Sequence, residues 1–282
     1  MFDFNNQNIR DFFPDFDDEF QLLDKIMLGS GLYGTILTDA YGESDKEEMY
    51  SSLKVICGIF DTHPFDKNGI YCYWDYISRE ILYIGLSKNL VSRFKQHNTL
   101  KPKASKGNKS IRISEHFKYH EKIGFSILVQ PPINQETPNL FDKDKEVKVI
   151  ESSLFQSFIE KYERLPIWNE IEGYKMGRNK KLVDRYGDIL EMLTLKEKGY
   201  LNGNSTIREV ASSKEYQMYE CDLNLIRARM YQWKESFSKT LMKVVSFNNF
   251  LIAQGDIRAI ESNFRLKKML ESGYKEKEIN AL

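Results

Sequence analysis

Six residues of this chain could together break a phosphodiester: Tyr71, Tyr83, Arg93, His97, Glu151 and Asn169. Cleaving such a bond needs a nucleophilic water, a base, charge stabilisation at the phosphorane and help for the leaving oxygen. A single hard cation on a carboxylate, here Glu151, can supply the last two. A guanidinium such as Arg93 grips non-bridging oxygens. A phenol ordinarily titrates near ~10, so Tyr71 can serve as base only with a neighbour that lowers the barrier. His97 is the natural neighbour.

Local patterns say how these groups are held. Residues 69–75 (Gly-Ile-Tyr-Cys-Tyr-Trp-Asp) and 80–86 (Glu-Ile-Leu-Tyr-Ile-Gly-Leu) are aromatic and branched, and read as two strands joined by a turn at Ile77-Ser78-Arg79. Alternation puts Tyr71 and Tyr73 on one face, and Ile81 and Tyr83 on one face. Gly85 inside a strand marks a close approach by backbone or ligand. Ser87 is the expected N-cap of a helix running to His97. On it Arg93 and His97, four apart, share a face, while Leu90, Val91 and Phe94 turn to the sheet. Residues 101–110 read as an exposed basic loop, with a helix to Lys118 and a strand at Phe125–Val129 beyond it. Residues 145–163 repeat Val147, Ile150, Leu154, Phe155, Phe158 and Ile159 at helical spacing. Glu151 lies at the edge of that stripe, where a carboxylate needs compensation.

The run Gly69-Ile70-Tyr71, Tyr83-Ile84-Gly85-Leu86-Ser87-Lys88-Asn89-Leu90, Arg93, His97, Glu151, Asn169 resembles the GIY-YIG nuclease family, over roughly residues 68–170. The order strand, strand, helix, strand, helix is also similar. The resemblance implies an α+β fold: a small catalytic domain with a mostly antiparallel three-stranded sheet flanked by helices. It implies Tyr71 as general base or positioner of water with His97 assisting, Tyr83 as ligand of water or phosphate, and Arg93 as stabiliser of phosphate charge. Glu151 would hold one divalent cation, Mg2+ or Mn2+, and Asn169 would orient the site. The motif here starts after 68 residues, whereas in many members it is near the N-terminus.

The flanks divide the chain into an acidic, partly helical extension (1–67), the nuclease domain (68–175) and a helical C-terminal region (182–282). In the extension, Phe20, Leu22, Leu23, Ile26 and Met27 suggest a short amphipathic helix, Gly29, Gly31 and Gly34 a loop, and Lys46 to Phe60 a second helix. Lys175, Arg178, Lys180 and Lys181 form a basic linker. Helices are expected at about 183–199, 206–213 (capped by Thr206) and 222–244, with one more polar helix in the last 25 residues. A plain packing domain is the simpler reading of this region. A helix-turn-helix is the other, with Arg208, Arg227, Arg229 and Lys234 projecting.

Formal net charge is zero, from 41 basic and 41 acidic residues, which argues against unspecific nucleic-acid coating. The charge is uneven. Residues 88–122 hold ten Lys/Arg against Glu115 and Glu121, and residues 1–53 hold twelve acids against three bases. Lys101, Lys103, Lys106, Lys109 and Arg112 are the candidate DNA contacts. Three cysteines without ligand spacing, no apolar run long enough to span a bilayer and no secretory signal lead to the expectation of a cytoplasmic protein. His63, His116 and His120 receive no role; the last two are four apart, but no carboxylate pattern accompanies them. The leading expectation is a site-specific, restriction-like endonuclease acting on double-stranded DNA as a homodimer. A homing or mobile-element nuclease, with residues 182–282 as tethered reader, and a non-cleaving DNA-binding module are the alternatives.

Overall fold

The computed structural model describes residues 34–57, 64–99, 108–130, 143–170, 180–233 and 235–274. The fold is α+β: a four-stranded antiparallel sheet covered by helices on both faces. In chain order the elements are β1 (Thr35–Tyr41), α1 (Lys46–Ile56), β2 (Gly69–Asp75), β3 (Ile81–Ser87), α2 (Leu90–His97), α3 (Asn108–His116), β4 (Ile123–Val129), α4 (Lys143–Tyr162), α5 (Lys180–Thr194), α6 (Ile207–Ser212), α7 (Lys214–Trp233), α8 (Phe237–Ala253) and α9 (Ile257–Glu271). Strand order is β1-β4-β2-β3.

The sheet therefore has one strand more than the three expected. The fourth is β1, from the stretch assigned to an N-terminal extension, and it pairs along its whole length with β4. Its residues Thr-Ile-Leu-Thr-Asp-Ala-Tyr are all buried, so it lacks the polar alternation that advertises a half-exposed strand. The outer edge of β1 is closed too. The Ile36 N–H donates to the Leu201 carbonyl (2.9 Å), and the Gly203 N–H donates to the Ile36 carbonyl (2.8 Å).

The pleat of β2 sorts two cores. Ile70, Cys72 and Trp74 face one side, with Ile150, Leu154, Phe155 and Phe158 of α4 and Ile189, Leu190 and Leu193 of α5. Tyr71 and Tyr73 face the other, with Met49, Leu53 and Ile56 of α1, Leu90 and Phe94 of α2, and Ile207 and Val210 of α6. Helix α5, which begins with the expected linker residues Lys180 and Lys181, is thus part of the central core. The linker residues Lys175 and Arg178 lie outside the described residues, as do residues 1–33.

The strand faces differ from simple alternation at one place. Tyr73 pairs with Tyr83 but Trp74 pairs with Ile81, so Leu82 is the extra residue of a β-bulge. Ile81 consequently packs on the α4 side while Leu82 and Tyr83 pack on the α2 side. Ile81 and Tyr83 do not share a face. Tyr83 keeps the regular register opposite Tyr73 and so shares the face of Tyr71, while the bulge turns Ile81 away from that face.

Other expectations shift as well. The N-cap of α2 is Asn89, whose Oδ1 accepts from the Ser92 N–H at 2.8 Å; Ser87 instead accepts from the Asn89 N–H at 3.0 Å. Thr206 caps α6 in a reciprocal box with Glu209. The single helix expected at 222–244 is two, α7 and α8, which pack with α9 around Tyr219, Leu223, Ile226, Leu266 and Met269. Arg208 and Arg227 do not project. Arg208 is paired with the buried Asp39 (2.9 Å) and with Glu48 (3.2 Å). Arg227, 5% exposed, is paired with Glu220 (2.7 Å) and bonded to Thr35 of β1 (3.2 Å). Two of the four cations of the helix-turn-helix reading are therefore consumed internally. The Arg229 side chain and Lys234 fall outside the described residues.

Trp74 fixes the middle of the sheet. It is fully buried, its indole N–H donates to the Ser126 hydroxyl at 2.8 Å, and it lies against Gly124 of β4. A Cβ on Gly124 would stand 2.1 Å from the indole ring. Gly124→Ala should therefore destabilise the fold by about 1–3 kcal/mol through overpacking. A denaturation midpoint equal to wild type would contradict this packing.

Candidate active site

Three elements bring the expected groups to one corner of the sheet. β2 presents Tyr71 and Tyr73, β3 presents Tyr83, and α2 presents His97 from its last turn. Ring centroids of Tyr71 and Tyr83 are 5.7 Å apart, and the His97 ring lies 5.6 Å from Tyr71 and 5.9 Å from Tyr83. Tyr73, which the sequence placed on the right face without a role, is 6.0 Å from His97. Arg93, one turn before His97, donates to the Gln96 side chain at 3.2 Å, and its charge is felt by both phenols and by the imidazole.

Gly85 leaves the space in which the phenols meet. A Cβ there would stand 2.7 Å from the Tyr71 hydroxyl and 2.7 Å from the Tyr83 ring. The close approach expected at this glycine is thus one of side chains to backbone.

Glu151 comes from the opposite layer. α4 packs on the Ile84 face of the sheet, yet Glu151 reaches the edge of β3, where its Oε1 accepts from the Leu86 N–H at 3.2 Å. This bond is part of the compensation that its place beside an apolar stripe demanded. Its charge acts on Tyr71 and Tyr83, so it belongs to the same electrostatic cluster. Asn169 lies two strand positions away along the same edge. Its Oδ1 accepts from the Ile84 N–H (3.1 Å) and its Nδ2 donates to the Ile84 carbonyl (2.9 Å). The neighbouring Trp168 N–H donates to the Leu82 carbonyl at 2.9 Å. Asn169 thus holds the strand that carries Tyr83.

The protonation pattern departs from the sequence reading. Burial raises the pKa of Tyr71 well above the phenol value, and Tyr83 adds to this by its charge and its hydrogen bond. Tyr83 is raised as well, by burial first. Tyr71 therefore rests as a neutral phenol. His97 is lowered to about 3, by burial first and then by the positive charges of Arg93 and Lys109. Its imidazole is neutral at physiological pH, and its Nδ1 is buried without a hydrogen-bond partner among the described residues. Both groups thus rest neutral, and the depressed pKa leaves the imidazole a weak base.

Of the five candidate DNA contacts, Lys101, Lys103 and Lys106 lie outside the described residues. Lys109 sits in the first turn of α3, with its ammonium 5.0 Å above the Tyr83 ring and donating to the Trp168 carbonyl. Arg112, one turn further, is exposed. The cations thus begin at the lip of the phenol cluster.

Sequence reasoning missed the polar layer behind the site. Tyr41 of β1 donates to the Asn98 Oδ1 at 2.8 Å, and the Asn98 Nδ2 donates to the Phe94 carbonyl at 3.1 Å and to the Tyr73 hydroxyl at 3.4 Å. Asn98 is the C-cap of α2, so this one side chain fixes the end of the helix that carries His97. An asparagine directly after the last helical residue was the available signal. Comparison of the chain with protein-family models, curated proteins and solved structures gives no match.

Two expectations follow. The ring protons of His97 should not titrate between pH 8 and pH 5 in a nuclear magnetic resonance experiment, because a lowered pKa keeps the neutral form until the pH approaches about 3. A midpoint near the ordinary histidine value of ~6.5 would overturn this assignment. The same depression makes the unfolded chain the better proton acceptor between ~6.5 and about 3, so His97 contributes a loss of stability as pH falls through that window. Separately, Gly85→Ala should displace the phenols, seen as shifted Tyr71 and Tyr83 ring signals, while leaving most of the fold intact. Ring signals equal to wild type would show that the phenols need not meet.

Proposed function

We propose that the chain is a metal-dependent DNA endonuclease of the GIY-YIG type, hydrolysing phosphodiesters in double-stranded DNA. The observation that carries this reading is the convergence of Tyr71, Tyr83, His97 and Arg93 with a carboxylate, Glu151, that arrives from another layer. The donor set fits a hard divalent cation. One carboxylate oxygen is anchored by a backbone N–H, the aromatic walls offer no soft ligand, and Mg2+ keeps most of its own water and is satisfied by one or two carboxylates. Glu151 would hold the Mg2+ or Mn2+, which when bound would polarise the phosphoryl oxygen and ease departure of the leaving group.

The residues of the chain do the rest. Arg93 grips the non-bridging oxygens and stabilises the charge that builds on them. Tyr71, held as a neutral phenol, orients the attacking water through its hydroxyl. His97, neutral and with an Nδ1 that no described residue bonds, assists Tyr71 as a relay for the proton that the water gives away. Tyr83, hydrogen-bonded to Tyr71, completes the cradle, and Asn169 keeps its strand in place.

A restriction-like cytoplasmic enzyme is favoured over a homing nuclease with a tethered reader. Helices α5 and α6 pack into the cores of the sheet, and Arg227 ties α7 to Thr35 of β1. The segment that a tethered reader would occupy thus begins inside the catalytic body. Cutting both strands with one site per chain calls for a homodimer.

Plasmid nicking tests the reading. Wild type with Mg2+ or Mn2+ should cut, EDTA should abolish cutting, and Glu151→Ala or Arg93→Ala should slow it by about a hundredfold or more. Wild-type cutting that survives both EDTA and Glu151→Ala would refute the metal role. Failure to cut any DNA with either ion would leave a DNA-binding module as the better account. Product mapping to a short palindrome would support the restriction-like form, and a long asymmetric site the homing form.

A further inference from the structure

We infer that Asp75, His116 and His120 form a second metal site, for a zinc-class divalent transition ion, separate from the phosphodiesterase corner. The three are the last residue of β2, the last residue of α3 and the residue just past the turn that follows α3. One ligand atom from each lies within 4.8 Å of the other two. Among the described residues this is the only such group of three.

The carboxylate is built to present one oxygen. Its Oδ1 accepts three hydrogen bonds, from the Ile77 N–H (3.1 Å), the Ser78 N–H (2.7 Å) and the Ser78 hydroxyl (2.9 Å). Its Oδ2 points at the His120 Nδ1, 3.5 Å away. Two ligands at zinc bond lengths and a tetrahedral angle are about 3.4 Å apart, so this separation also fits two ligands on one ion. His116 is oriented too. Its Nε2 lies 3.3 Å from the Lys122 carbonyl, and donating there leaves Nδ1 as the ligand atom. Metal-binding histidines are commonly held by such a bond from the other ring nitrogen.

The rings of His116 and His120 are stacked, with centroids 4.2 Å apart and planes 9° from parallel. Parallel lone pairs do not converge, so ligation rotates one ring. His120 is the one able to turn, since its side chain is 38% exposed and it follows the helix, whereas His116 is 9% exposed and wedged against Trp168. Two nitrogens and one carboxylate oxygen suit zinc better than magnesium, and leave a fourth position for water. The bound ion would pin the tail of α3 to the end of β2. The head of the same helix carries Lys109 and Arg112, so the ion would set the pose of the cations at the lip of the corner.

Titration of the metal-stripped full chain with zinc, and with cobalt as a visible reporter, tests this. The expected result is one zinc per chain, a raised melting temperature, and cobalt bands without the near-ultraviolet charge transfer that thiolate ligands give. Asp75→Asn and His120→Ala should each weaken zinc binding at least tenfold while circular dichroism stays unchanged. Glu151→Ala should bind zinc as wild type does, which separates this site from the corner whatever the nicking assay shows. No uptake of zinc or cobalt by wild type, or unchanged binding in both Asp75→Asn and His120→Ala, would overturn the inference.

Discussion

The edge of β3 is the constraint on which the rest of the molecule turns. A sheet edge leaves every second N–H and carbonyl without a strand partner, and such groups must be met or exposed. Here the outward groups at Leu82, Ile84 and Leu86 are met in sequence by the Trp168 N–H, the Asn169 side chain and Glu151. Closing the edge and assembling the corner are therefore one act. The residue proposed to hold a cation cannot be in place unless β3 is, and β3 carries the phenol that the cation would face.

A bulge and a glycine complete the arrangement on the other face. The unbroken register that pairs Tyr73 with Tyr83 sets Tyr83 on the face of Tyr71 and His97, and the bulge at Leu82 sends Ile81 to the α4 side. Without the bare Gly85, the phenols could not come together over the strand. Burial then sets the chemistry. The same desolvation that raises Tyr71 lowers His97, so enclosure pushes both groups to their neutral forms.

How legible this was depends on how local each signal is. β2, β3 and α2 could be read almost residue by residue, because their aromatic runs, turn and helical pair are short-range features. β1 was not, since a strand buried on both faces carries no alternation, and it stood beyond a glycine-marked loop. The bulge was invisible for the same reason that registers are: it is a property of two strands. Arg208 and Arg227 looked free because their partners Asp39 and Glu220 are joined to them only by the fold. Asp75, 41 positions before His116, could not be seen as a companion to the two histidines for the same reason. The site residues themselves were legible as a pattern, but the protonation states of Tyr71 and His97 follow from burial and were not.

The closure of the outer edge of β1 by Leu201 and Gly203 has a consequence for the birth of the protein. β1 is made early, its partner β4 some ninety positions later, and the segment that seals its free edge later still. Pairings this distant along the chain are slow to form and leave a buried-type strand bare in the meantime. A nascent chain on the ribosome would hold Tyr71, His97 and Glu151 before it held a finished sheet. The corner of β2, β3, α2 and α4 is thereby made before the segment that seals the far edge of its sheet.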